Sequence, residues 1–87
     1  MKWKVAFDPA AARQFAKLGR TAQQDIERYI AKNLETGEDP RRFGKPYLSI
    51  KHAWRYRVGD FRMVCLIQNE IVTVLVLKVG HRRDVYD

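Results

Sequence analysis

The sequence predicts an α+β fold: a two-helix hairpin packed on one face of a small, twisted, mainly antiparallel four-stranded sheet, in the order β-α-α-β-β-β. Three observations carry this. Residues 8–37 hold two stretches of helical periodicity with a very short connection between them. Residues 54–62 alternate apolar and basic residues around Gly59-Asp60, the signature of a tight hairpin. The run Ile71–Val79 is β-branched and apolar on both alternating sets, as in a strand buried on both faces.

The first element is a short strand, because Trp3, Val5 and Phe7 alternate with Lys2, Lys4 and Ala6. Asp8 is a good helix N-cap, and Pro9 fits the first helical position, where its missing N–H is not needed. Ala11, Phe15 and Leu18 form one helical stripe that stops at Gly19. Thr21 with Gln24 reads as a capping box opening the second helix. Its stripe is Ile26, Tyr29, Ile30 and Leu34, and Gly37 suits the C′ position. From Glu38 to Ala53 the pattern breaks down around Asp39-Pro40 and Lys45-Pro46, and a loop or short helical turn is expected.

In the hairpin, Gly at the first central position suits a type II′ turn, which sets Val58 opposite Phe61 and Arg57 opposite Arg62. Directly opposed residues share a face, so Arg55, Arg57 and Arg62 crowd one side of a single ribbon. Like charges placed there repel. A sequence that keeps them has a use for an anion on that face, and phosphate is the anion this points to. Gln68-Asn69-Glu70 supplies a second turn, whose register is open by one residue. The side taken by Lys78 is therefore open as well.

Eighty-seven residues make one domain, residues 1–87. The net charge of +7 is lopsided: residues 1–40 carry +1 and residues 41–87 carry +6. A charge concentrated in the strand half suggests an acidic partner such as nucleic acid. The single cysteine, Cys65, lies in the apolar run Met63–Ile67 and reads as a buried core thiol. Two histidines and one cysteine give no metal-ligand spacing, so neither a metal nor another cofactor is expected. No signal peptide is visible and no apolar run approaches the roughly 20 residues needed to cross a membrane, so no membrane partner and a cytoplasmic setting are expected.

The hairpin Trp54–Arg62, the strand that follows and the tail Gly80-His81-Arg82-Arg83-Asp84-Val85-Tyr86 together resemble the RelE/ParE superfamily, and within it the RelE-type toxins of bacterial toxin–antitoxin systems. The likeness extends to Phe7-Asp8-Pro9 opening the first helix and Leu18-Gly19 closing it. It implies a ribosome-dependent endoribonuclease that cuts mRNA and arrests translation, and a cognate antitoxin that wraps the toxin. It also implies a catalytic set of basic residues with a tyrosine: Arg55 and Arg57 on the first hairpin strand, Arg62 after the turn, Arg82 after the glycine, and Tyr86.

Cleavage through the 2′-hydroxyl needs a proton removed from the nucleophile, a stabilised pentacovalent phosphate and a proton delivered to the leaving 5′-oxygen. Arginine, a planar and permanently charged fork, suits the phosphate; we assign this to Arg62 and Arg82 with Arg57 beside them. Lys51, Arg55 and Arg83 are expected to grip RNA backbone. No carboxylate pair sits in this region, so acid–base duty falls to Tyr86 or His81. The motif favours the tyrosine, and the histidine has the more favourable unperturbed pKa, near 6.5. Two other readings use the same residues: a ParE-like inhibitor of DNA gyrase without nuclease activity, and a plain nucleic-acid-binding module.

Overall fold

The computed structural model describes residues 2–85. The strand β1 (Lys4–Phe7) leads into α1 (Pro9–Ala16), where the Asp8 carboxylate accepts from the Ala10 N–H at 3.2 Å and Pro9 stands in the first turn. Both features follow the sequence reading. The second helix, α2 (Arg20–Tyr29), does not. Its N-cap is Gly19, and the expected Thr21–Gln24 capping box is not made. Gln23 instead reaches back, its Nε2 donating to the carbonyls of Phe15 (3.0 Å) and Ala16 (3.5 Å), so it ties the start of α2 to the end of α1.

Beyond Tyr29 the helix widens into a π-turn, Ile30–Leu34, closed by the Glu35 N–H on the Ile30 carbonyl at 2.8 Å. Ile26, Ile30 and Leu34 are all buried, as their stripe requires. The element ends at Leu34 and Gly37 is not its C′ residue. The chain turns earlier because the Thr36 carbonyl accepts from the Trp3 N–H at 2.8 Å, fastening the helical layer to the start of β1.

Among the described residues the sheet has five strands, not four, in the order β1-β5-β4-β3-β2. The added member is β2 (Lys45–Pro46), within the segment read as a loop; it pairs antiparallel with β3 (Ala53–Val58). Proline is tolerated there because β2 is an edge. A 3₁₀ turn, Pro40–Phe43, precedes it. The Arg41 N–H bonds to the Asp39 carboxylate at 3.0 Å and holds that carboxyl below the usual carboxylate range, the Arg41 guanidinium adding to the effect.

The hairpin between β3 and β4 (Phe61–Gln68) has the predicted register, with Val58 opposite Phe61 and Arg57 opposite Arg62. Gly59 has φ +59° and Asp60 is not in the left-handed region, the pattern of a type II′ turn. The next connection is longer than the sequence suggests. Asn69–Ile71 form a 3₁₀ turn and Val72 is left-handed (φ 48°), so β5 begins at Thr73 and runs to His81. The β4–β5 register shifts between Val64 and Cys65: Val64 pairs with Lys78 and Cys65 with Val76. β5 lies inside the sheet, parallel to β1 and antiparallel to β4. A final short helix, α3 (Arg82–Val85), follows directly.

The core lies between the helices and one sheet face. Ala11, Ile26, Ile30 and Leu34 meet Tyr56, Met63, Cys65, Ile67, Val74, Val76 and Val79. Burial pushes the Cys65 thiol far above its ordinary pKa, which suits a packing residue and not a nucleophile. The opposite face carries a smaller cluster, Ala53 and Val64 under Val85 of α3, flanked by Tyr47 and Ile50. Among the described residues, no helix is long and apolar enough to cross a membrane.

Candidate functional site

Alternation decides where the arginines go. Tyr56 and Met63 face the helices, so Arg55 and Arg57 of β3, with their partners Val64 and Arg62 of β4, take the other face. Two further devices close a groove over that face. At one end the Arg82 N–H donates to the Asp60 carbonyl at 2.8 Å, which pins the start of α3 to the hairpin turn. Gly80 makes room for this: a Cβ there would sit 3.3 Å from Val85, the residue that folds back over the sheet. At the other end Gly44 lies so close to β3 that a Cβ would fall 2.7 Å from the Arg55 carbonyl oxygen and 2.8 Å from the Tyr56 ring. This brings β2 alongside, with Lys45 opposite Arg55.

The result is an open groove of about 640 Å³, lined by Phe43, Gly44, Lys45, Arg55, Tyr56, Arg57, Arg62, Arg82 and Arg83. Five arginines from β3, β4 and α3 share one concavity, and none of the described residues lining it is acidic. The ion pairs Arg28–Asp25, Arg41–Asp39 and Arg42–Glu38 use cations outside it. Some of the crowding is relieved locally: Arg62 Nη1 donates to the carbonyls of Gly59 (2.8 Å) and Phe61 (3.0 Å). The turn thus turns its own negative dipoles toward the guanidinium that opposes Arg57, a relief not visible in the sequence. Fixed cations in a concavity focus a positive potential, and planar forks match phosphate oxygens.

The remaining candidates go elsewhere. His81 pairs with Phe61 across the sheet and so takes the helix face. Its ring stacks edge-on against Phe61 at 5.7 Å, and its Nδ1 accepts from the Arg83 N–H at 3.3 Å. It lines a separate cleft with Gln14, Lys17 and Leu18. The acid–base expectation for His81 therefore finds no support in its position, while its backbone contact helps to set α3. Lys78 borders that same cleft and not the arginine groove. Lys51 is exposed in the turn before β3 and is not among the groove's residues. Tyr86 lies outside the described residues. Tyr56 lines the groove but is only 1% exposed. Burial raises its pKa strongly, and its hydroxyl donates to the Pro40 carbonyl at 2.8 Å. Among the described residues, no three His, Cys, Asp or Glu side chains converge as metal ligands.

Sequence reasoning missed Phe43 and Gly44, and gave Lys45 only a share in general phosphate steering. Their position depends on contacts with Tyr56 and Arg55, which local pattern does not encode.

Comparison with known proteins gives consistent results. A family model described as the ParE toxin of the type II toxin–antitoxin system, parDE, matches residues 5–86. Toxin RelG of Mycobacterium tuberculosis (strain ATCC 25618 / H37Rv) is 30% identical over 87 residues, covering 99% of this chain and 98% of the relative. Among solved structures, the toxin–antitoxin complex RelBE2 from Mycobacterium tuberculosis matches with a TM-score of 0.82 at 28% identity, over 97% of this chain and 95% of that one. The isolated E. coli RelE toxin has a TM-score of 0.73 at 22% identity, over 91% and 83% of the two chains, and shares the fold.

Proposed function

This chain belongs to the RelE/ParE superfamily of type II toxin–antitoxin toxins, and on that premise we propose that it is a ribosome-dependent endoribonuclease that cuts mRNA and arrests translation. The observation that supports this best is the gathering of Arg55, Arg57, Arg62, Arg82 and Arg83 in one groove whose described lining holds no carboxylate. In the proposed reaction the 2′-hydroxyl of the substrate attacks the adjacent phosphorus. Its proton leaves, a 2′,3′-cyclic phosphate forms, and the 5′-oxygen departs with a proton. Arg62 and Arg82 stabilise the charge that accumulates on the non-bridging oxygens, and Arg57 stands beside them. Arg55, Arg83 and Lys45 hold flanking phosphates. Proton transfer is assigned to Tyr86, which the family motif carries, in preference to His81, whose ring is engaged on the other side of the sheet. A groove whose described lining holds no carboxylate or histidine gains from a ribosome that holds the mRNA near in-line geometry, since positioning can replace much of a barrier.

A second reading has its own support, because the matching family model is described by ParE. In that reading the protein inhibits DNA gyrase and cuts no RNA. Primer extension on mRNA after induction in a bacterial host separates the two. New 5′ ends inside translated codons are expected; DNA-damage signalling without such ends would overturn the nuclease reading in favour of the gyrase one.

We also propose a cognate antitoxin as partner, as the RelBE2 complex has. The net charge of +7 and the open sheet edges at β1 and β2 offer both ionic and backbone hydrogen bonds to an acidic segment that orders on binding. The complex is expected to weaken as salt rises from 0.1 to 1 M; an affinity indifferent to salt would remove the electrostatic part of this proposal.

A further inference from the structure

We propose that Phe43 is a nucleobase platform: its ring stacks a base of single-stranded RNA whose phosphates lie on the arginines of the same groove. The inference rests on the ribonuclease reading and deepens it, from a site that grips backbone to one that also holds a base.

Phe43 is 42% exposed, and among the described residues only Leu48 and Ile71 are comparably open large apolar side chains. Those two are not in the groove; Phe43 lines it. Tyr56, the other aromatic of the lining, is buried. Exposure of one ring is ordinary by itself; what sets Phe43 apart is that it is a half-open π-face in a concavity with six cations.

The turn that carries the ring is also held in place. The 3₁₀ turn that carries it is anchored upstream by the Tyr56 hydroxyl on the Pro40 carbonyl, a buried bond of 2.8 Å. The Tyr29 hydroxyl donates to the carbonyl of Phe43 itself at 3.5 Å. Downstream, Gly44 is pressed against the Arg55 backbone and the Tyr56 ring. The Arg42 guanidinium, paired with Glu38, lies over the Phe43 ring at 5.6 Å from its centroid. With its backbone anchored in this way, only the side chain itself has to order when the ring binds.

The neighbours select the class of ligand. Among the described residues an apolar peptide would find one exposed ring and six cations, while an acidic peptide would satisfy the cations and leave the ring unused. Single-stranded nucleic acid offers phosphates and π-faces in alternation, and aromatic platforms among basic side chains are how such strands are held.

The test uses the full chain with two probes: hexa-2′-deoxyadenylate, uncleavable because it lacks the 2′-hydroxyl, and a six-unit abasic phosphodiester of equal charge. Binding is measured at low salt. Wild type is expected to prefer the base-bearing probe by about tenfold to a hundredfold. Phe43→Ala should abolish that preference and leave affinity for the abasic probe unchanged. Phe43→Trp should keep the preference, and Phe43→Leu, apolar but without a π-face, should lose it. Arg57→Ala should weaken both probes alike. Equal binding of the two probes by wild type, full discrimination by Phe43→Leu, or parallel loss of both probes in Phe43→Ala would each overturn the platform and leave the arginine site standing. Binding of neither probe by wild type would overturn the platform and show that the groove does not hold a single strand by itself, while primer extension on the ribosome decides the ribonuclease reading separately.

Discussion

Arg82→Ala and Arg62→Ala are each expected to lower the rate of mRNA cleavage on the ribosome by on the order of 10²–10³, the usual loss when one preorganised donor to a transition-state oxyanion is removed. The two reach the groove by independent routes, one from the start of α3 and one from β4, so neither can easily substitute for the other. Both variants are expected to fold. Arg82 fastens α3 through its backbone N–H on the Asp60 carbonyl, which alanine retains. Arg62 does lose its side-chain bonds to the Gly59 and Phe61 carbonyls. The Gly59 acceptor is exposed and the Phe61 acceptor only partly buried, so water can replace the donor, and the repulsion with Arg57 across the strand is relieved at the same time. Purified variants should therefore melt close to wild type and cut poorly in primer extension. Wild-type cutting by both variants would remove the site assignment, and a large fall in melting temperature would show that the side chains serve the fold.

The sequence is informative where geometry is local. A two-residue turn with glycine first has few solutions, so the opposition of Arg57 and Arg62 could be read directly. The structure gives His81 to the helix face, beside Phe61, and begins α3 at Arg82, so the two part where strand alternation ends. The second turn was not legible, because a 3₁₀ turn, a left-handed Val72 and a register shift act together there. A β-branched residue at positive φ is something that propensity argues against. The capping box failed for another reason. Thr21 and Gln24 have the right spacing, but Gln23 finds the end of α1 only once the helices are packed. The groove wall was hidden in the same way, since β2 is two residues long and exists through contacts with β3.

Gly44→Ala tests that wall. The added methyl would sit 2.7 Å from the Arg55 carbonyl oxygen, which is backbone within β3, and 2.8 Å from the ring of Tyr56, which packing and the bond to Pro40 hold in place. Neither neighbour can swing aside, so β2 must retreat. Overpacking of this kind costs about 1–3 kcal/mol, a fall of several degrees or more in melting temperature for a chain of this length. Retreat would also carry Phe43 and Lys45, the residues on either side of Gly44, away from Arg55. RNA affinity should then drop even at temperatures where the variant is fully folded, and loss of stability alone would not produce that. Gly19→Ala is the matched control, because a Cβ at Gly19 meets nothing within 4 Å, and it should leave RNA affinity unchanged. If Gly44→Ala binds RNA as well as wild type, the edge strand is not what shapes the groove, and the arginines alone define the site.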